Sequence, residues 1–163
     1  MGSRPSIELA YIAGFLDGDG SLMLQLKKRK DTKRGFRFMA TICFYQDTRH
    51  EKPLYWIRDV LNVGYISRRK DGMSELRING FNTIEQLLNE LKPYIKFKEV
   101  QLEAMIKATS ILRSDMNTLT NKDLETIVSC ILIIQNENYK SHNAKIYHIN
   151  SFFIFLLVFN FSR

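Results

Sequence analysis

A nine-residue stretch near the N-terminus, IAGFLDGDG, constrains the fold most, because its first half favours a helix and its second half ends one. Ser6 is predicted to cap this helix, which would begin at Ile7. A glycine inside a helix costs about 1 kcal/mol relative to alanine, so Gly14 indicates the close approach of a second helix backbone. The helix is expected to end at Gly18 or Gly20.

Two acidic side chains lie at the end of this helix. Asp17 and Asp19 would occupy the unfavourable end of the helix dipole, where a bound cation would offset the mismatch. An ordinary helix end followed by an Asp-Gly turn is the alternative. Of the two acids, Asp17 is the better candidate for a structural role.

The composition favours one domain and a polyanionic partner. The chain has 163 residues, of which 45% are hydrophobic, enough for a single core. Its 24 Lys and Arg against 17 Asp and Glu give a formal net charge of +7, which favours a nucleic acid, with a generally basic surface as the alternative. Cys43 and Cys130 are too few and too far apart for a zinc site or a disulfide framework. A reducing compartment therefore fits, and any metal would be held by oxygen, as magnesium is.

The hydrophobic pattern changes from helical to alternating after Gly20. The alternation predicts strands over residues 21–30 and 36–46, joined by a basic loop. Asp71-Gly72 predicts the turn of a second hairpin, formed by residues 65–70 and 73–79. Helices are predicted over residues 53–61, 83–91, 95–112 and 121–136. The predicted fold class is α+β, with an αββαββα core, one antiparallel saddle-like sheet with helices on one face, and further C-terminal helices.

The second face of the predicted sheet is polar and positive. Arg, Lys and Gln are the side chains that read guanine and adenine in the major groove, which admits a two-stranded ribbon. An ordinary solvated sheet face is the alternative. The outward-facing side chains predicted on the first hairpin are Met23, Gln25, Lys27, Arg29, Arg37, Met39, Thr41 and Cys43.

Residues 12–20 resemble the motif of the LAGLIDADG homing endonucleases. The departures, all within the same size and polarity class, are Ile12, Phe15, Leu16 and Gly18. Further local matches to the single-motif members, which belong to group I introns of chloroplasts and mitochondria, are Gln46-Asp47-Thr48, Val63-Gly64-Tyr65 and residues 91–98. The resemblance covers residues 6–145 as a single endonuclease domain.

The resemblance implies a site-specific double-strand DNA endonuclease for intron homing, which hydrolyses phosphodiesters at a long pseudo-palindromic target with divalent metal ions such as Mg²⁺. A single copy of the motif implies a homodimer whose motif helices touch at Ala10, Ala13 and Gly14. Asp19 of each subunit, together with the backbone carbonyl of Gly18, would then hold the metal.

The same resemblance implies two further catalytic residues. Gln46 would position solvent and Lys98 would supply positive charge near the scissile phosphate; the alternatives are a strand-end cap and a surface lysine. Relatives carry a basic residue shortly after the glutamine, where this chain offers Arg49 and His50. The implied DNA contacts are Gln25, Lys27, Arg29, Arg37, Thr41, Arg69 and Arg77 on the sheet, with Lys140 as a phosphate contact.

An apolar C-terminal segment, residues 146–163, has no counterpart in the resemblance. Its unbroken apolar run, residues 152–159, is shorter than the ~20 residues of a membrane span, so no membrane partner is expected. It is a docked terminal element or sequence added to the ancestral fold. The N-terminus lacks a secretory signal, and the resemblance implies an organellar protein. Two other functions share the fold: an RNA maturase bound to its host intron, and a DNA-binding regulator that no longer cuts.

Overall fold

The computed structural model describes residues 5–31 and 35–138. The elements are α1 (Ser6–Asp19), β1 (Gly20–Lys28), β2 (Phe36–Asp47), α2 (Lys52–Leu61), β3 (Tyr65–Arg68), β4 (Met73–Asn79), α3 (Phe81–Leu91), α4 (Glu99–Leu112) and α5 (Asn121–Glu137). This order confirms the predicted αββαββα core with additional C-terminal helices. None of the helices in the described residues has the length and apolar composition that crossing a membrane would need.

The four strands form one antiparallel sheet in the order β1-β2-β4-β3. Alternation decides the two faces, because successive side chains of a strand point to opposite sides. Leu22 and Leu24 of β1 and Ile42 and Phe44 of β2 are at most 1% exposed. These residues form the apolar face that the helices cover, as predicted.

Helix α1 lies against the same apolar face. Its bulky side chains pack into the core, with Leu9 at 7% exposure and Ile12 and Leu16 at 0%. Because α1 runs directly into β1, the end of the helix is fixed at one edge of the sheet next to β2.

Two predicted turns are present. Gly72 adopts a φ of +82° in the second hairpin, a conformation that favours glycine. After α2, Asn62 is left-handed and Gly64 has a φ of +95°. A Cβ on Gly64 would lie 2.9 Å from the carbonyl oxygen of Arg77, so the backbone of β4 also requires glycine there.

Two predicted helix starts are wrong. Ser6 is the first residue of α1 rather than its cap, and the carbonyl of Pro5 accepts the hydrogen bond from the Leu9 N–H at 3.1 Å. The helix predicted from residue 95 begins at Glu99 instead. The backbone N–H groups of the three residues before it bind a carboxylate of α1, which holds that segment outside the helix.

Candidate functional site

The end of α1 is joined to the start of α4 by Asp17. This side chain is 7% exposed, and its carboxylate accepts hydrogen bonds from the N–H groups of Lys96 at 2.7 Å, Phe97 at 3.2 Å and Lys98 at 3.1 Å. The ammonium of Lys98 donates in turn to the backbone carbonyl of Asp17 at 2.5 Å. Asp17 is therefore the structural acid of the pair, as its position suggested.

Lys98 lies half-buried beside both acids of the motif. Burial lowers the pKa of its ammonium below the usual 10.5, while the negative charges of Asp17 and Asp19 oppose that change. Asp19, the last residue of α1, is exposed. The structure thus brings Asp19 and Lys98 together, with one carboxylate open to an incoming ligand and one cation held beside it.

Gln46 lies at the same end of the sheet as the end of α1. Gly20 pairs with Phe44 across β1 and β2, so Gln46, two residues further along β2, is level with the last turn of α1. Its side-chain oxygen accepts from the N–H of Asp47 at 2.9 Å. In this conformation Gln46 caps the end of its own strand, which is the alternative given for it, and its role in placing solvent stays a prediction.

The short turn after β2 carries both candidate basic residues. The guanidinium of Arg49 donates to both carboxylate oxygens of Asp47, at 3.1 and 2.8 Å, and these bonds lower the pKa of Asp47 to about 2. Arg49 is thus turned toward Asp47, and His50 is exposed.

A second carboxylate fixes this turn to the sheet. Glu51 accepts from Arg68 and from the buried hydroxyl of Ser74, and the same two partners lower its pKa to about 2. Ser74 pairs with Gln46 across β2 and β4. The network therefore supports the strand end at which Gln46 lies.

The open face of the sheet carries the predicted DNA contacts. Gln25, Lys27 and Arg37 are exposed. Arg29 lies just beyond β1 and forms two hydrogen bonds to the carboxylate of Asp31, at 3.0 and 2.9 Å. Three of the predicted contacts on the first hairpin are thus open to DNA, whereas Arg29 is held in an ion pair with Asp31.

Two outward positions of β2 are not accessible. Thr41 is 4% exposed and its hydroxyl donates to Asn79 at 2.8 Å, so the expectation that it offers an open contact is wrong for this conformation. Cys43, at 0% exposure, is also not an open position. Both residues lie on a strand with neighbours on each side, where long side chains from the flanking strands cover short ones.

The arginines of the second hairpin share one acid. Arg69 donates to Glu75 at 3.0 Å and Arg77 donates to Glu75 at 2.6 Å, while Arg69 also pairs with Asp71 at 2.6 Å. Glu75 is not among the functional residues predicted from the sequence. The available signal was a lone acid between two predicted base-contacting arginines.

The small residues of α1 are divided between two sides of the helix. Ala13 is 0% exposed inside the single chain, so its predicted place at a dimer contact is wrong. Ala10 and Gly14 are exposed, so their place at a dimer contact stays a prediction, and Gly18 is exposed beside them. A Cβ added to Gly14 or Gly18 would meet nothing within 4 Å, so nothing in the described chain explains either glycine.

Metal ligands are sparse in the single chain. Across residues 5–31 and 35–138, no three His, Cys, Asp or Glu side chains gather closely enough to hold an ion. Asp19 contributes one exposed carboxylate, and the last carbonyls of α1, including that of Gly18, have no later N–H of the helix to bind. The predicted phosphate contact Lys140 and the apolar run 152–159 lie outside the described residues.

Comparison with known proteins decides the family. The sequence profile described as LAGLIDADG endonuclease matches residues 12–109. The chain belongs to the LAGLIDADG endonuclease family. The matched part of this LAGLIDADG chain includes Asp19, Gln46 and Lys98 and the whole of the sheet.

The curated relatives are DNA endonucleases. DNA endonuclease I-CvuI of Chlorella vulgaris is 28% identical over 127 residues, which are 78% of this chain and 75% of that one. DNA endonuclease I-CreI of Chlamydomonas reinhardtii is 30% identical over 106 residues, which are 65% of this chain and 64% of that one.

Solved structures of homing endonucleases share the fold. I-CvuI in complex with its target in the presence of Ca aligns with a TM-score of 0.72 at 23% identity, over 90% of this chain and 92% of that one. The archaeal intron-encoded homing endonuclease I-Vdi141I, complexed with DNA, aligns with a TM-score of 0.73 at 20% identity, over 89% of this chain and 93% of that one. The α+β architecture predicted from the sequence is the fold of these proteins.

Proposed function

We propose that this protein is a site-specific, double-strand DNA endonuclease of the homing type, which acts as a homodimer with divalent metal ions. The observation that carries the proposal is the exposed Asp19 lying near Lys98 at the end of the motif helix. Membership of the LAGLIDADG endonuclease family, and the DNA endonucleases among its relatives, support the same reaction.

The open face of the sheet supports DNA as the substrate. β1 has nine residues and therefore spans ~30 Å, about nine base pairs of duplex. Gln25, Lys27 and Arg37 on this face are exposed and carry the side-chain types that bind base edges and phosphates in the major groove. A dimer would present two such faces to a long pseudo-palindromic target.

The exposed side of α1 supports a homodimer. Gly14 and Gly18 leave open space along the helix, and each lowers helix stability by about 1 kcal/mol relative to alanine. A second helix backbone packed against this side would make the absence of side chains favourable. Ile7 and Tyr11, at 84% and 60% exposure, continue the same side toward the N-terminus.

An apolar hollow extends this surface onto α2. It measures about 390 Å³ and is lined by Ile7, Glu8, Tyr11, Pro53 and Trp56. The rings of Tyr11 and Trp56 meet edge to face with their centroids 5.4 Å apart. Large apolar side chains grouped on a surface mark contact sites, so this hollow supports burial against a second copy.

The donor atoms at the end of α1 fit a divalent cation shared between two copies. Asp19 and the backbone carbonyl of Gly18 are hard oxygen ligands of the type that Mg²⁺ takes. Bound divalent ions activate water and stabilise the charge that develops on a phosphate during hydrolysis. Around them, Lys98 would hold positive charge near the scissile phosphate, and Gln46 would orient solvent at the adjoining strand end.

The test is cleavage of a randomised palindromic DNA library in Mg²⁺, followed by sequencing of the cut ends. We expect the wild-type protein to cut a narrow set of sites and Asp19→Asn to bind those sites without cutting them. The matched control is Asp59→Asn, which removes an exposed acid of α2 that pairs with Arg58, and it should cut normally.

Three outcomes of this test contradict parts of the proposal. Binding of the library without any cutting by the wild-type protein would contradict nuclease activity and leave the maturase or the regulator. Normal cutting by Asp19→Asn would contradict the metal assignment, and a monomer that cuts would contradict the dimer. An origin in a chloroplast or mitochondrion stays a prediction, which the genome that encodes the chain would decide.

A further inference from the structure

Glu75 is a buried acid on the face of the sheet that the helices do not cover. It lies on β4 between Tyr45 of β2 and Ser67 of β3, so strands flank it on both sides. Its side chain is 6% exposed. A carboxylate at this depth on an otherwise cationic surface calls for a physical explanation.

Each oxygen of this carboxylate binds a different arginine. Oε1 accepts from Nη1 of Arg69 at 3.0 Å, and Oε2 accepts from Nη1 of Arg77 at 2.6 Å. The pair of arginines is more exposed than the acid, at 49% and 31%. Glu75 therefore lies beneath two guanidinium groups and fixes one nitrogen of each.

Stability alone does not account for this arrangement. Replacing a buried ion pair by apolar residues of similar volume is often neutral or stabilising, because the charges lose hydration. An apolar residue at this position would satisfy the sheet equally well. What the carboxylate adds is orientation, since each arginine otherwise has several free rotations.

Arg77 has the more open donor edge of the two arginines. Its neighbours across the sheet are Cys43 on β2, which is fully buried, and Tyr65 on β3. Within the part of the chain that the structure describes, Glu75 is the hydrogen-bond partner of its Nη1, and its Nε and Nη2 carry no other bond. That free edge offers two parallel N–H donors, the arrangement that binds O6 and N7 of guanine.

Arg69 is held at both terminal nitrogens. Nη1 donates to Glu75 and Nη2 donates to Asp71 in the exposed turn of the hairpin. Phosphate contacts set the position of a protein on DNA and carry no sequence information, whereas contacts to base edges do. Carboxylates that hold arginines in place oppose their movement toward phosphates.

We propose that Glu75 is a positioning residue which holds Arg77, flanked by Arg69, in place to read guanine in the major groove. This inference rests on the proposed function, because it needs a DNA target. It names one base of that target by its chemistry: in each half-site, a guanine faces Arg77, and discrimination at that position depends on Glu75.

The experiment measures equilibrium binding in the Asp19→Asn background, so that DNA stays intact. Its probes are the duplex selected from the cleaved library, the same duplex with single base-pair changes, and a scrambled duplex, each at several salt concentrations. We expect Glu75→Gln to lower the ratio of target to scrambled affinity by about 5-fold to 150-fold, the range for one bidentate guanine contact. The loss should fall on one base pair of each half-site.

Target preference, measured together with salt dependence, separates positioning from simple loss of charge. Arginines released from Glu75 can reach phosphates, so binding of Glu75→Gln to scrambled DNA should depend more steeply on salt, by about 0.9 in log–log slope for each phosphate gained. Asp71→Asn is the matched control, because it removes one negative charge from Arg69 in an exposed turn. It should steepen the salt dependence and keep the target preference.

A variant that leaves Glu75 in place keeps the proposal testable if Glu75→Gln is poorly folded. Arg77→Lys keeps the charge but lacks the planar fork, so it should lose discrimination at the same base pair as Glu75→Gln. The double variant should lose no more than Arg77→Lys alone, because the two changes remove one contact.

Two results would overturn the inference, and they differ from failure of the proposed function. An unchanged target preference in Glu75→Gln, or additive losses in the double variant, would show that Glu75 does not act through Arg77. If the chain with intact Glu75 does not prefer the selected duplex over the scrambled one, then sequence-specific DNA recognition itself is refuted, and this inference falls with it.

Discussion

Replacing Asp17 with alanine tests whether the motif helix positions Lys98 through the backbone of the segment before α4. The change removes three hydrogen bonds from backbone N–H groups to a carboxylate, at 2.7 to 3.2 Å. Hydrogen bonds to charged groups contribute about 1.5–3 kcal/mol each, and a helix cap about 0.5–2 kcal/mol. Lys96 and Phe97 are exposed, so water can replace part of the loss.

We therefore expect Asp17→Ala to lower the free energy of unfolding by about 3 kcal/mol. For a chain of this size, that corresponds to a fall in Tm of about 6–12 °C. Asp17→Asn should lose less stability than Asp17→Ala, because the amide keeps one acceptor oxygen. It should still be less stable than wild type, because its NH2 group faces a backbone N–H donor. Thermal unfolding followed by circular dichroism measures the three proteins side by side, with Asp59→Asn as the control that removes an exposed acid.

Cleavage by the same proteins, well below their melting temperatures, tests the link to the site. The Asp17 carboxylate binds the backbone N–H of Lys98, and the Lys98 ammonium donates to the backbone carbonyl of the same residue. Asp17→Ala keeps that carbonyl but frees the backbone of Lys98, so the ammonium should be displaced from its place. The cleavage rate should fall more than DNA affinity does. A Tm within 2 °C of wild type, or an unchanged cleavage rate in a destabilised Asp17→Ala, would refute the reasoning.

Three further predictions concern pH and assembly. Lys98 has a lowered pKa, so it loses its charge at a lower pH than an ordinary lysine, and cleavage should decline on the alkaline side of its pH profile; Lys98→Arg, if active, should extend activity to higher pH. Glu51 has its pKa lowered to about 2 from 4.5 by Arg68 and Ser74, so it stabilises the fold above pH 4.5 and this contribution disappears as pH falls toward 2. Glu51→Gln should therefore flatten the decline of Tm over that window. Gly14→Ala should stabilise an isolated chain by about 0.5–1 kcal/mol and weaken a dimer packed on α1, which analytical ultracentrifugation measures together with Tm.

The sequence predicted the two faces of the sheet well, because the alternation of apolar and polar residues along the strands decides them. Leu22 and Leu24 alternate with polar residues, and the structure places them in the core. The same alternation correctly turned Thr41 and Cys43 away from the helices. It could not show that they are buried there, because their cover comes from neighbours on other strands, such as Asn79 and Arg77. Alternation gives the side of a sheet and not the depth of a residue on it.

The segment before α4 shows the limit of local patterns more directly. Residues 95–98 have the helical spacing on which the prediction rested, yet α4 begins only at Glu99. The groups that hold them are 79 to 81 residues away in sequence, on Asp17. Long-range hydrogen bonds to a buried carboxylate override the helix propensity of this segment. The same contact places Lys98 beside the motif, so the feature that defeated the helix prediction helps to build the candidate site.

The motif helix explains why sequence alone assigned Ala13 to the wrong side. Residues three and four apart share a face of a helix, and Ala10, Ala13 and Gly14 were therefore predicted on one contact surface. Adjacent positions are rotated by 100°, which is enough to divide that surface. Ala13 and Asp17, four apart, both turn inward, whereas Gly14 and Gly18, also four apart, both turn outward.

Because the inward and outward sides of α1 alternate in this way, the two aspartates have different roles. Asp19 is rotated by about 200° from Asp17, so one carboxylate ties α1 to α4 inside the chain while the other is left exposed at the end of the helix. An inserted or deleted residue between them would turn Asp19 away from Lys98 while leaving the composition of the motif unchanged. The spacing of the two acids, more than their number, is therefore what makes this helix end a candidate site.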